Sequence, residues 1–213
     1  MNPDITNIRK DYKLKTLLEI DVLKDPFEQF SLWWNEAVAS EIEEVNAMTL
    51  ATCTKAGMPS ARIVLLKGFS IEGFMFFTNY NSQKGHELLA NPQAALVFFW
   101  KELERQIRIT GMVEKVSEEV SEEYFATRPV ASQIGAWSSP QSSVISGRQT
   151  IEDNVNAYKK EFKDKPMTKP PHWGGYAVKP QKIEFWQGRR SRLHDRILYS
   201  FKNNEWITER LAP

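Results

Sequence analysis

Eleven residues near the C-terminus, Trp186-Gln-Gly-Arg-Arg-Ser-Arg-Leu-His-Asp-Arg196, form the densest set of chemically useful side chains in the sequence. An arginine fork binds phosphate or carboxylate through two parallel hydrogen bonds. Histidine is the side chain most easily made donor, acceptor or proton carrier near neutral pH. An indole offers a flat apolar face to a ring. Trp186, Arg189, Arg190, Arg192, His194 and Arg196 together point to a planar, phosphorylated small molecule. The plain alternative is a charged strand end facing water, and the stretch alone does not separate the two.

Weaker clusters lie upstream. Arg62 and Lys67 bracket the apolar run Arg-Ile-Val-Leu-Leu-Lys. On a continuous strand their odd spacing sends them to opposite faces, toward two ligands or two parts of one; the alternative is a strand whose polar ends reach solvent. Ser82 and Lys84 stand at a predicted helix start, which is either an anion site or a simple cap. Tyr124, Arg128 and Ser132 recur at i, i+4 and i+8. On one helical face they make a phosphate clamp or a polar stripe, and Pro129 must open a new turn between them. Gln141 and Ser142 sit in a serine-rich loop, where function concentrates but spacing says nothing specific. Several phosphate binders on separate elements fit two phosphorylated ligands, or one ligand and one cofactor.

The totals narrow the chemistry. The chain has 213 residues, 28 Lys+Arg against 27 Asp+Glu, and a formal charge of +1. Such a balance disfavours nucleic acid or an anionic membrane as partner and makes any positive site local. A single cysteine, Cys53, rules out an intramolecular disulfide; its apolar surroundings predict a buried, inert thiol. His86, His172 and His194 are far apart without cysteine partners, so no zinc site is expected. Rossmann, Walker, Gly-x-Ser-x-Gly and His-Glu-x-x-His signatures are missing, so redox or group-transfer chemistry requires an organic cofactor. No apolar run is long enough to span a membrane, and the charged N-terminus does not read as a signal peptide; both favour the cytoplasm.

The elements that must position these groups are legible in outline. Residues 1–24 read as an arm with one helical turn, and 25–213 as a single domain. Asp25-Pro26-Phe27-Glu28 starts a helix, with Phe27, Phe30, Trp34, Ala37 and Val38 predicted on its inner face. Strands are expected over 47–54, 60–69, 73–79, 93–100 and 105–115, with a helix over 83–90. Helices follow over 117–128, 130–137 and 150–163, the last with Ile151, Val155, Tyr158 and Phe162 on one side. Two strands, 175–180 and 181–187, precede a hairpin over 196–211 turning at Asn203-Asn204. Strands at hairpin-like spacing predict an antiparallel barrel or sandwich rather than βαβ units.

The ordered motifs resemble the pyridoxamine 5′-phosphate oxidase family. They are Arg62-Ile-Val-Leu-Leu-Lys67, Phe77-Thr-Asn, Leu103-Glu-Arg-Gln106, Tyr124-Phe-x-x-Arg-Pro, Ser132-Gln-Ile-Gly-Ala-Trp137, Gln141-Ser-Ser, His172-Trp-Gly-Gly, Trp186-Gln-Gly with Arg192-Leu-His-Asp-Arg196, and Arg210-Leu-Ala-Pro213. The resemblance implies a mainly β fold with helices, an FMN-binding split β-barrel, acting as a homodimer with FMN between subunits. It implies FMN contacts from Arg62, Ile63, Val64, Leu65, Lys67, Phe77, Thr78, Gln83, Lys84, Gln106, Gln141, Ser142, Trp186 and Arg196. Lys67, Tyr124, Arg128 and Ser132 would meet the substrate phosphate, Arg192 and His194 the pyridine ring as catalytic groups, and Arg9 and Tyr12 would form a lid. The implied reaction oxidises pyridoxamine or pyridoxine 5′-phosphate with dioxygen to pyridoxal 5′-phosphate, the final and salvage step of vitamin B6 metabolism. Two departures stand out: Gln83 where the family usually has Arg, with weaker FMN affinity expected, and Phe77 for a frequent Tyr, with little effect expected. The competing reading is a split-barrel flavoprotein that binds FMN as a carrier or sensor.

Overall fold

The structure, a computed structural model, describes residues 11–213. These divide into two compact units, each assembled from separate stretches of chain. The first comprises the chain up to Thr49 with Ala95–Gly111 and Pro180–Pro213; the second comprises Leu50–Ala94 and Met112–Lys179. The described elements are α1 (Pro26–Ala39), β1 (Ala47–Cys53), β2 (Pro59–Leu65), β3 (Gly68–Ser70), β4 (Gly73–Asn79), α2 (Gln83–Ala90), β5 (Gln93–Trp100), β6 (Arg105–Lys115), α3 (Glu118–Thr127), α4 (Val130–Ser138), α5 (Arg148–Glu161), β7 (Trp173–Gln187), β8 (Asp195–Lys202) and β9 (Glu205–Arg210). Hydrogen bonding runs in the order β2-β1-β5-β6-β7-β4-β3, and β8 pairs with β7 and β9. The registers of β3–β4, β4–β7, β7–β8 and β8–β9 are antiparallel.

In the first unit, Asp25 caps α1 as its sequence predicts: the carboxylate accepts the N–H groups of Phe27 and Glu28, and Pro26 occupies the first turn. Of the five residues predicted for the inner face only Phe30 and Ala37 are buried, while Phe27 and Trp34 are half-buried. Trp33 is buried and Val38 half-exposed, so the stripe is Pro26, Gln29, Phe30, Trp33 and Ala37. Phe30 packs on Phe98 of β5 at 5.4 Å, and Trp33 on Phe185 of β7 at 5.2 Å. Burial of each ring contributes about 1.5–3 kcal/mol. Residues 11–24 hold no helix, against the predicted helical turn. Instead Glu104 accepts the N–H groups of Lys13 and Leu14, and Asp195 accepts that of Leu17. The terminal hairpin turns on Asn203 (φ 51°) and Asn204 (φ 66°), the left-handed pair that a two-residue loop needs.

In the second unit, the predicted strand over 60–69 is two strands. β2 stops at Leu65, Leu66 turns inward, and β3 begins at Gly68 to pair with β4. This break matters for Lys67, which no longer belongs to the run that carries Arg62. The strands expected at 175–180 and 181–187 are instead one fifteen-residue strand, β7, which passes through Pro180 at the boundary between the units. The proline, half-buried, is tolerated where the strand changes partners, from β4 before it to β8 after it. The predicted side of α5 agrees: Ile151, Val155 and Tyr158 are half-buried, as are Thr150 and Asn154, and Phe162 is half-buried at the C-cap. Cys53 is half-buried, with the amide of Asn91 at 3.0 Å from its sulfur.

Candidate active site

The second unit holds an open cavity of about 1090 Å³. Arg62, Lys67, Thr78, Lys84, Tyr124, Arg128, Ser132 and Gln141 all line it, as do Ile63, Val64, Leu65, Phe77, Gln83 and Ser142. The opposite-face argument for Arg62 and Lys67 therefore fails, because β2 ends between them and lets both groups reach one cavity.

At one end, α2 begins with Ser82, whose hydroxyl accepts the Gly85 N–H. The Lys84 ammonium is buried and meets only neutral oxygens, Thr78 Oγ1 at 3.3 Å and Ser82 Oγ and Gln141 Oε1 at 3.4 Å. Desolvation and then the nearby Arg62 push its pKa down. A buried ammonium without a carboxylate contact, beside a guanidinium at a helix start, is the donor set of an anion site. Arg62 is held rigidly. It donates to Thr52 Oγ1, Ser60 Oγ at 2.6 Å and the Leu50 carbonyl at 3.3 Å, and lies 3.5 Å from Glu87. Glu87 was not anticipated. Its carboxylate accepts from Thr52, Ser60 and Gln83, and these bonds with Arg62 bring its pKa to about 2 despite burial.

At the other end, α3 closes at Thr127 and α4 opens at Val130, so Arg128 takes extended backbone angles between them. The i, i+4, i+8 set survives this break: Tyr124, Arg128 and Ser132 share the cavity wall. Gln133 donates to the Arg128 carbonyl at 2.9 Å and holds the junction. Arg128 Nη1 is buried without a hydrogen-bond partner, and no carboxylate pairs with this guanidinium among the described residues. Arg128 itself is one of the residues lining the cavity. Lys67 lies 5.9 Å from the Tyr124 ring centroid.

The signature stretch sits in the first unit. Trp186 and Arg196 are cross-strand partners on β7 and β8. The His194 ring packs 4.5 Å from the Trp186 indole, and Tyr12 makes an edge contact with Trp186 at 5.8 Å and a tilted one with His194 at 6.0 Å. Gly188 makes room for this: a Cβ there would lie 2.7 Å from the Tyr12 ring. The Arg189 N–H donates to His194 Nδ1 at 3.1 Å, which places the proton of the neutral imidazole on Nε2. Burial and then the Arg192 charge lower the His194 pKa. Ser191 (φ 56°) and Arg192 (φ 62°) are consecutive left-handed residues, and both are exposed. Arg196 is bound bidentately by Glu184, at 2.8 and 3.1 Å, and donates to the Ala212 carbonyl. Gln106 is half-buried on β6 in this unit. Arg9 lies outside the described residues.

Residues 34–161 match the family described as pyridoxamine 5′-phosphate oxidase, and residues 173–213 match the pyridoxine 5′-phosphate oxidase C-terminal dimerisation region. The chain belongs to the pyridoxamine 5′-phosphate oxidase family. It is 53% identical over 214 residues to the pyridoxine/pyridoxamine 5′-phosphate oxidase of Trichormus variabilis, covering all of both chains. It is 54% identical to that of Polynucleobacter asymbioticus, covering 98% of this chain and 99% of the relative. Among solved structures, PhzG from Burkholderia lata in complex with tetrahydrophenazine-1-carboxylic acid superposes with a TM-score of 0.88 at 27% identity, over 94% of this chain and 99% of that one. A pyridoxamine 5′-phosphate oxidase-related, FMN binding protein from Nostoc punctiforme shares the fold, with a TM-score of 0.71 at 18% identity, over 90% of this chain and 100% of that one. The fold is the split barrel, mostly β with helices.

Membership of the oxidase family makes the two departures worth placing. Gln83 is exposed and donates to Glu87 at 2.9 Å, four residues on along α2. It caps the carboxylate that holds Arg62. The Phe77 ring packs on Tyr124, at 4.1 Å, and on Trp173, at 5.4 Å, and those two rings lie 6.1 Å apart. Trp173, which had no assigned role, lines the cavity. Its position in the His172-Trp-Gly-Gly motif was the available signal. Glu87 had one too, as the i+4 partner of Gln83 on a predicted helix.

Proposed function

We infer that the protein oxidises pyridoxamine or pyridoxine 5′-phosphate to pyridoxal 5′-phosphate at the expense of dioxygen, with FMN as cofactor. The carrying observation is that Arg128, which has no carboxylate partner among the described residues, lines the same cavity as Arg62 and Lys84. Two cationic ends suit two phosphates, one on a cofactor and one on a substrate. A plain FMN carrier has no use for the second. PhzG, whose solved complex holds a phenazine carboxylic acid, shows that the fold accepts other ring systems; the clamp of Lys67, Tyr124, Arg128 and Ser132 favours a phosphorylated one here.

Arg62, Lys84, Thr78, Gln141 and Ser142 would hold the FMN phosphate and ribityl end, with the β2 backbone of Ile63–Leu65 along the ring. Gln83 acts here through Glu87 rather than as a charged ligand. Lys67, at the turn after β2, serves both ligands. Gln106, Trp186 and Arg196 complete the flavin site, in a homodimer with FMN at the subunit interface. FMN bound there would supply the two-electron redox chemistry that links the substrate C4′ carbon to dioxygen, with hydrogen peroxide as the co-product. The amine also takes up water and releases ammonia; the alcohol gives the aldehyde directly. Arg192 orients the pyridine ring, and His194, with Nε2 protonated when neutral, donates a hydrogen bond to it. Arg9 and Tyr12 close the arm over the occupied site.

Steady-state assays of the FMN-loaded protein in air test this. Pyridoxal 5′-phosphate and peroxide should accumulate one to one. Arg192→Ala and His194→Ala should each cut turnover while FMN affinity holds. Unchanged turnover in both variants sinks the assignment of these residues; bound flavin without product favours the carrier.

A further inference from the structure

We propose that Trp173 is the positioning residue for the substrate-phosphate clamp: its indole holds the Arg128 guanidinium in place while leaving its charge and donors for the ligand. The proposal rests on the reading of Arg128 as a phosphate ligand and extends it to a residue that makes no polar contact with substrate.

The geometry is a guanidinium set against a cluster of near-parallel rings. The Arg128 guanidinium carbon lies 4.7 Å from the Trp173 ring centroid, and 5.8 Å from that of Phe125. The indole is near-parallel to Phe77 (5.4 Å, 13° between planes) and to Tyr124 (6.1 Å, 11°), and Phe77 stacks on Tyr124 (4.1 Å, 23°), so the three rings form a compact triangle. Both the guanidinium and the phenol of the clamp are thus referred to one rigid aromatic base. That base is immobile. Trp173 is 5% exposed, opens β7 opposite Asn79, and has Phe125 edge-on at 5.3 Å. Gly175 accommodates the stack, since a Cβ there would lie 2.7 Å from the Phe77 ring.

A carboxylate would fix an arginine as well, but at a cost in function. Arg105 shows the usual arrangement: its guanidinium stacks 4.2 Å from Trp33 and also donates to Glu36 and Gln187. Arg196 likewise is neutralised by Glu184. Among the described residues Arg128 has the indole and no acid, and burial lowers its pKa. A ring quadrupole attracts a cation without taking its N–H groups. The incoming phosphate therefore meets an oriented guanidinium that has no other anion to leave.

The test compares the FMN-loaded parent with Trp173→Phe and Trp173→Leu. For pyridoxamine 5′-phosphate the Michaelis constant should rise roughly 3- to 30-fold in Trp173→Leu, with Trp173→Phe between it and the parent, and kcat little changed. The inhibition constant of inorganic phosphate should rise by a similar factor. Affinity for FMN should hold, and turnover of unphosphorylated pyridoxamine should be unaffected. Parent-like Michaelis and inhibition constants in both variants overturn the proposal and leave the oxidase reading standing. Parallel losses in FMN affinity, kcat and pyridoxamine turnover also overturn it, because they mark a general packing defect. Should Trp173→Leu fail to fold, Trp173→Phe decides alone: an unchanged Michaelis constant refutes. A parent that does not turn over the phosphorylated amine overturns both readings.

Discussion

Arg62, Arg128 and Arg196 look interchangeable in a sequence, yet each carries a different load. Arg196 is spent on Glu184 and the Ala212 carbonyl, and Arg62 is shared with a threonine, a serine and Glu87. Arg128 is held by an indole and keeps its charge. Replacing Arg128 by Ala removes charge-assisted hydrogen bonds worth about 1.5–3 kcal/mol. Its Michaelis constant for pyridoxamine 5′-phosphate should then rise roughly 10- to 100-fold, with FMN affinity unchanged; a normal constant argues against the clamp. His194 gives a prediction in pH. Its folded pKa is lowered, by burial and then by Arg192, so the imidazole protonates at a lower pH than an ordinary histidine. The acid limb of kcat should lie below the pH at which a free histidine titrates, and Arg192→Met should move it upward. The types and spacing of these groups were legible; their partners were not. Glu87, Thr52 and Ser60 meet Arg62 through strand pairing and a helix start that no local pattern encodes.

At the scale of elements, caps and breaks decide what reaches the cavity. The starts of α1 and α2 were readable because Asp25 and Ser82 carry their own signals. The stop at Leu65 was not, since Leu66 continues the apolar run, and that stop is what turns Lys67 toward Arg62. Pro180 misled in the other direction, because sheet context tolerates a proline that local rules treat as a terminator. Glu87 ties α2 to β1 and β2. Its folded pKa, about 2, is below its ordinary value, so its contribution to stability is present above about pH 4.5 and fades as pH falls toward 2. Thermal unfolding followed across this window should show a smaller acid loss in Glu87→Gln than in the parent. The docked arm offers another check. Gly188→Ala should displace Tyr12, since the added carbon would overlap its ring, and limited proteolysis should then cut within residues 11–24 faster. Equal cleavage rates would detach Gly188 from that role.

Over the whole molecule, a formal charge of +1 conceals a local concentration of cations, which is why composition alone excluded partners rather than naming one. Each unit carries half of the expected chemistry: the cavity lined by Arg62, Lys84 and Arg128 belongs to the second, the Trp186–His194–Tyr12 cluster to the first. The match of 173–213 to a dimerisation region, and exposed apolar groups such as Ile63 and Phe99, agree with assembly into a dimer. Sedimentation should give twice the chain mass, and dilution to monomer should release FMN. The central claim is that one site couples a flavin to a phosphorylated pyridine. The most direct measurement is anaerobic addition of pyridoxamine 5′-phosphate to the FMN-loaded protein while flavin absorbance is followed. Rapid bleaching, reversed on admitting air with release of pyridoxal 5′-phosphate and peroxide, is the predicted result; a flavin spectrum that stays oxidised under saturating substrate would contradict the account.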